Sequence, residues 1–262
     1  MLQHTIHKND TAQALSKVPQ VTLMFWAIKI LATTLGETGG DAVTMSMNLG
    51  YGEGSLIFLA FFAVALLFQT FSGGYHPARY WAVVAATTTV GTTMSDYLDR
   101  TLALGYIRSS IVLFLGVLLV LFAWNRIMGK IEFEGIADRR DELFYWLTIL
   151  VSNTLGTALG DFAADDLGLG FQLGALLFGV LIFAVAIAYY KTGISPNILF
   201  WAAYVLTRPL GATLGDTLTK PFAHGGLALD RISSSLVILA LMVAAITLNH
   251  RAEQRRAVAV VS

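Results

Sequence analysis

One spelling occurs four times along this chain and limits what it can fold into. An aromatic residue followed by Trp, then Gly ten residues after the Trp, then Asp five further, gives Phe25-Trp26/Gly36/Asp41 and Tyr80-Trp81/Gly91/Asp96. It returns as Tyr145-Trp146/Gly156/Asp161 and Phe200-Trp201/Gly211/Asp216, so four of the five tryptophans are used in this way. Four residue types at identical spacings mark four copies of one unit.

Each copy sits in an apolar setting. Of the 262 residues 56% are hydrophobic and 13% charged, more apolar surface than a water-soluble domain can hide in one core. The surface must therefore face lipid. Crossing roughly 30 Å of hydrocarbon takes about twenty residues of helix, and eight such runs can be drawn, at 19–45, 55–71, 80–97, 106–124, 144–162, 171–190, 197–219 and 232–248. The expectation is an all-α polytopic membrane protein of eight transmembrane helices, in four two-helix repeats.

Every repeat is one motif helix followed by one plain apolar helix. Two spans per repeat is an even number, so all motif helices cross in the same direction and the repeats are parallel. The Trp residues are separated by 55, 65 and 55 positions, which pairs the repeats into two pseudo-symmetric halves. The expected division is a polar leader (1–18), a first membrane half (19–127), a polar connector (128–142), a second half (143–249) and a tail (250–262). Polar 1–18 lacks the apolar core of a secretory signal, and the first span is read as retained.

Charge gives orientation. The termini and the loops after the second, fourth and sixth spans carry eleven Lys and Arg, against four (Arg100, Arg108, Lys220 and Arg231) in the opposite loops. Basic loops stay on the cytoplasmic side, which places both termini there. A net charge of zero gives no case for nucleic acid, and the absence of cysteine removes disulfides and thiolate ligands together.

The acids of the repeat carry the chemistry. Fifteen residues of helix span about 22 Å, so Asp41, Asp96, Asp161 and Asp216 are expected at one depth near the outer side. An ionised carboxylate in hydrocarbon costs roughly 2.5–3.5 kcal/mol on insertion scales, and Glu37 adds a fifth acid against only Lys29 and Arg208 within spans. Motif helices lining a polar cavity, with Thr33, Thr34, Thr87, Thr88, Thr89, Asn153, Thr154, Thr157, Thr207 and Thr213 beside the acids, would compensate. So would a bound cation.

All five histidines lie in loops or termini, leaving oxygen donors that suit Mg, Ca or Mn; Met94 and Met45 near two of the aspartates tilt the choice towards Mn. The expected site is Asp41, Asp96, Asp161, Asp216 and Glu37 as metal ligands, with Arg208 salt-bridged to a neighbouring Asp or contacting an anionic substrate. The competing structural expectation is that the aspartates cap loop starts or pair with Lys29, Arg208, Arg100 or Lys220. Tryptophans at span entrances are expected to anchor at the interface, and Asp165-Asp166 to form an acidic mouth.

The quartet of Trp-x9-Gly-x4-Asp units, especially residues 36–41 and 207–216, looks like a bacterial family of repeat-containing integral membrane proteins of unknown function. The likeness covers nearly all of residues 19–248. It implies a multi-pass protein of the bacterial inner membrane and assigns no substrate or site.

The expected function is transport of a divalent cation, Mn or Mg, as substrate and not as resident cofactor. The expected partners are the lipid bilayer and the cation, with a homo-oligomer left open. The alternatives are a proton-coupled carrier of a small organic solute and a non-transporting scaffold or sensor. No hydrolase triad occurs in the spans, so an enzyme is not expected.

Overall fold

The computed structural model describes residues 16–131, 136 and 138–261, the last six of these by backbone alone. Most of the polar leader, part of the connector and residue 262 lie outside the described residues. Among those described there are eight long α-helices and no strand: α1 Leu23–Asp41, α2 Gly50–Thr70, α3 Pro77–Asp96, α4 Gly105–Met128, α5 Arg139–Asp161, α6 Gly170–Lys191, α7 Pro196–Thr219 and α8 Arg231–Val261.

Local chemistry explains where the motif helices begin. The Thr22 hydroxyl accepts from the Phe25 amide at 3.2 Å, and the Asp138 carboxylate accepts from the Arg140 amide at 2.7 Å, capping α1 and α5. Pro77 and Pro196 occupy first-turn positions of α3 and α7, where a missing N–H costs nothing. Helix α5 thus starts inside the expected connector.

The motif helices form a closed inner ring in which α1 packs on α3, α3 on α5, α5 on α7 and α7 back on α1. Each plain helix packs chiefly on the motif helix of the following repeat: α2 on α3, α4 on α5, α6 on α7, and α8 on α1. Sorting by polarity follows. In α5 and α7 67% and 61% of the most apolar stretch is buried, against 17% in α2, α4 and α6 and 11% in α8.

Six helices are long and apolar enough to cross a membrane, namely α2 and α4 to α8, with α5 counted through Asp166. The two that are not, α1 and α3, carry the densest polar interiors and sit in the inner ring, so their polarity reflects neighbours rather than water.

The repeated Gly allows the ring to close. A Cβ on Gly36 would lie 2.5 Å from the Thr88 side chain, one on Gly91 2.9 Å from the Asn153 backbone, and one on Gly156 2.5 Å from Arg208 Cβ; Gly211 meets Thr33 in the same manner. The partner is each time the residue three before the Gly of the next repeat. Small residues permit such close helix approach in lipid, so at this level the motif helices touch where a polar cavity was expected.

Most threonine hydroxyls donate to carbonyls of their own helix three or four residues back, as Thr33 to Lys29 and Ile30 and Thr89 to Ala85 and Ala86. Bonds between helices include Thr88 to the Ala32 carbonyl, Thr92 to the Gly36 carbonyl and Asn153 Nδ2 to Thr87 Oγ1, each at 3.0 Å.

The tryptophans do more than the sequence suggested. Trp146 and Trp81 are buried, and all four repeat tryptophans belong to a closed aromatic girdle. Each repeat's Phe or Tyr lies edge-on to its own Trp, with centroids 5.1–5.4 Å apart. It also meets a Trp of an adjacent repeat: Phe25–Trp81 at 5.5 Å, Tyr80–Trp146 at 5.3 Å, Tyr145–Trp201 at 5.9 Å and Phe200–Trp26 at 5.7 Å. Pairs of this geometry contribute about 0.5–1.5 kcal/mol each beyond burial. The dipeptide is an element of ring closure, with Trp26 and Trp201 still partly exposed.

Residues 16–18, assigned to the leader, are likewise built in. Lys17 Nζ binds Glu142 Oε2 at 2.7 Å and the Thr70 carbonyl at 2.8 Å, while Gln69 donates to the Lys17 carbonyl and to Glu142.

Candidate functional site

From the aromatic girdle to the aspartates, the inner ring is a ladder with a four-residue step. The rungs are Phe25/Tyr80/Tyr145/Phe200, Lys29/Val84/Ile149/Tyr204, Thr33/Thr88/Asn153/Arg208, Glu37/Thr92/Thr157/Ala212 and Asp41/Asp96/Asp161/Asp216, and all twenty side chains are buried. A step of four drifts from the 3.6-residue period, and packed helices that cross accommodate it.

Arg208 ties the middle rungs. Its Nη2 meets Glu37 Oε2 at 2.9 Å, donates to Thr157 Oγ1 at 2.6 Å and bonds Thr92 Oγ1, while Nη1 donates to the Thr33 carbonyl at 3.2 Å. One guanidinium therefore touches the other three repeats. Three of its partners occupy the next rung, whose fourth member is the small Ala212. The expected salt bridge exists, with Glu37 in place of an Asp.

Below it, Lys29 Nζ lies 4.1 Å from the Tyr204 ring centroid and has no hydrogen-bond partner. Cation–π attraction is its visible support.

The aspartate rung is two pairs. Lys220 Nζ lies 3.0 Å from Asp41 Oδ2 and 3.1 Å from Asp216 Oδ1, and Arg231 Nε lies 3.5 Å from the same Asp41 oxygen. Arg100 Nε lies 3.2 Å from Asp96 Oδ1, and its Nη2 3.8 Å from Asp161 Oδ2. The sequence reading placed Arg100, Lys220 and Arg231 in outer loops. With them, five embedded acids face five bases, and the charge excess deduced from spans alone disappears.

Arg100 and Lys220 each lie four residues after the Asp of their helix, and the interval between them equals that from Trp26 to Trp146. Met45 and Asp165 stand at this position in the first and third repeats. The competing expectation, aspartates paired with Arg100 or Lys220, thus describes the rung, its signal being a base that alternates with the repeats, and Arg231 is the partner it lacked.

Carboxylate oxygens of Glu37, Asp41 and Asp216 come within 4.8 Å of one another and form a buried group able to hold a metal ion. Asp41 Oδ1 has no hydrogen-bond partner. Asp96 and Asp161, expected in the same site, are instead gathered by Arg100. Met94 lies two residues from Asp96, roughly 200° around the helix, on a different face from the acid. Asp165 accepts from the Tyr106 hydroxyl at 3.2 Å on the exposed outer turn.

Those outer turns have a shared construction. After Asp41, Asp96 and Asp161 the helix widens into one π-helical turn (Ala42–Ser46, Tyr97–Thr101 and Phe162–Asp166), closed by bonds such as Met47 N to the Ala42 carbonyl at 2.9 Å. A residue with positive φ follows: Asn48, Ala103 or Gly168, then Leu, then Gly50, Gly105 or Gly170. In the fourth repeat α7 ends at Thr219, and Lys220 starts a longer connection to Ala228-Leu229.

Four segments, residues 24–75, 79–129, 144–195 and 199–255, match the Repeat of Unknown Function (DUF347). The chain belongs to the DUF347 family. Each DUF347 segment contains one inner helix and the plain helix after it, the unit read from the spacing. No curated protein and no solved structure matches the chain.

Proposed function

We propose that this DUF347 protein is an eight-span transporter of a small divalent cation, Mn2+ or Mg2+, in a bacterial inner membrane with both termini in the cytoplasm. One observation carries the reading: Glu37, Asp41 and Asp216, from the first and fourth repeats, converge inside the ring with the buried Asp41 Oδ1 unpartnered. Ionisable groups at membrane depth mark ion pathways, and an all-oxygen donor set suits hard divalent cations. Helices α1 and α3 lie beside α5 and α7, which are apolar enough to span, and the common depth of the acids supports eight crossings.

The test is cation binding to the purified full chain by titration calorimetry, with flux into liposomes. Mn2+ or Mg2+ is expected to bind, and Asp41→Asn or Asp216→Asn to weaken binding at least ten-fold with parallel loss of flux. Wild-type affinity retained after Glu37, Asp41 and Asp216 are all neutralised would reject the site.

A second reading, a non-transporting scaffold or sensor, is favoured by the pairing of all four aspartates with Arg100 or Lys220. It requires Asp-to-Asn variants to lose folded protein while the wild type shows no flux. The organic-solute carrier has less support, because both terminal nitrogens of Arg208 are engaged within the protein.

A further inference from the structure

The two aspartate pairs are related by the same interval as the two halves, yet they are closed by different bases. We infer that Lys220 is a tethered substitute for the transported cation: its ammonium fills the position between Asp41 and Asp216 when the site is empty and must leave for a metal ion to enter, whereas Arg100 closes the Asp96/Asp161 pair permanently. This rests on the proposed cation transport and adds a stoichiometry of one cation per chain.

The geometry distinguishes the two closures. Lys220 Nζ is a compact charge on a flexible stem, seated 3.0 and 3.1 Å from the two carboxylates a bridging cation would use. Glu37 adds a third carboxylate, and the buried Asp41 Oδ1 has no partner, so a donor is available that the ammonium does not satisfy.

Arg100 is a planar fork fastened from outside the acids as well. Its Nη1 donates to the Tyr51 hydroxyl at 2.9 Å, and its guanidinium lies 5.7 Å from the Tyr51 ring centroid. In its half the position of Glu37 is taken by Thr157, so a third carboxylate is lacking.

Backbone placement agrees. Arg100 lies within the π-helical turn Tyr97–Thr101, which holds it on the inner helix. Lys220 is the C-cap of α7, where the chain leaves the helix in extended conformation (φ −72°, ψ 154°). Withdrawal of its side chain breaks no helical turn.

The experiment is Mn2+ titration of the full chain in detergent, comparing wild type, Lys220→Met, Lys220→Arg, Arg100→Met and the double variant Lys220→Met/Asp41→Asn, with folding checked by size-exclusion chromatography. If the ammonium occupies the site about nine-tenths of the time, its removal tightens apparent affinity about ten-fold.

Lys220→Met is therefore expected to bind about ten-fold more tightly at one site, and the double variant to lose that gain. Lys220→Arg keeps the charge and is expected to bind at least ten-fold more weakly, while Arg100→Met, which leaves Lys220 in place, is expected to show no ten-fold gain. Wild-type binding with unchanged or weaker affinity in Lys220→Met, or undiminished affinity in Lys220→Arg, overturns the inference and leaves cation transport standing. No Mn2+ binding by wild type or Lys220→Met overturns both.

Discussion

At the scale of single residues, Arg208 is the side chain whose loss should be felt most widely. It is fully buried and reaches Glu37, Thr33, Thr92 and Thr157. Removing one member of a buried ion pair strands the other, at a cost of about 3–5 kcal/mol, whereas replacing both by apolar groups is often neutral. Arg208→Leu is therefore expected to lower stability by that amount in denaturant unfolding of the detergent-solubilised protein, and Glu37→Leu/Arg208→Leu to recover most of it. A double variant no more stable than the single would show that the threonine contacts, not the ion pair, hold this centre. The sequence offered Glu37 and Arg208 as embedded charges, with Arg208 expected on a neighbouring Asp, but not that the two meet. Their contact depends on the rung rule, which is hidden because the middle rungs share almost no residue identity. Arg100 was misplaced because the inner helix continues beyond Asp96 as a π-helical turn; Lys220 lies just outside α7, as the span 197–219 expected, and folds back onto Asp41 and Asp216.

At the scale of helices, the repeated glycines set the distances. Gly91 faces the Asn153 backbone, so a methyl group there cannot be accommodated by a rotamer change and α3 must move from α5. Gly91→Ala is expected to lower stability by about 1–3 kcal/mol, the usual range for overpacking. Gly179→Ala, in open space in the middle of α6, should instead raise stability by up to about 1 kcal/mol, and thermal unfolding of the two side by side checks this. The outer turns favour the reverse substitution. Ala103 has φ 54° where Gly168 stands in the third repeat, and a left-handed non-Gly residue is strained by roughly 1–2 kcal/mol. After the entropy cost of glycine, Ala103→Gly should raise stability by up to about 1 kcal/mol, read as a higher unfolding midpoint. Helix number and the inner and outer roles were legible because polarity alternates from helix to helix. The girdle was not legible, because an aromatic at a helix end serves a lipid interface and a helix-to-helix contact equally well, and the contacts between repeats appear only in the fold.

At the scale of the molecule, the repeats interlock: each outer helix covers the inner helix of the next repeat, and α8 covers α1 as α2 covers α3. A ring built this way has no privileged starting point, which spacing along a linear chain could not reveal. Residue 16 and Glu253 of α8 meet at the same loop. The Tyr75 amide donates to the Ser16 carbonyl at 3.1 Å, and the Tyr75 hydroxyl is pushed up from its usual range by burial and then by the Glu253 carboxylate, so this part of α8 and residue 16 approach the same loop. A circular permutant beginning at Ile194 and ending at Gly193, with residue 255 joined to residue 16 by a short flexible linker, cuts an exposed connection where nothing crowds Gly193. It keeps every inner and outer helix, α8 as far as residue 255. It should fold, keep the aromatic girdle and both ion-paired aspartate pairs, and unfold within a few degrees of the parent. Deleting α8 should instead expose the face of α1 that it covers and abolish the monodisperse peak in size-exclusion chromatography. A permutant that aggregates while the α8 deletion stays folded would show that the ring does not close through α8 and α1, and that the four DUF347 repeats are held together in linear order.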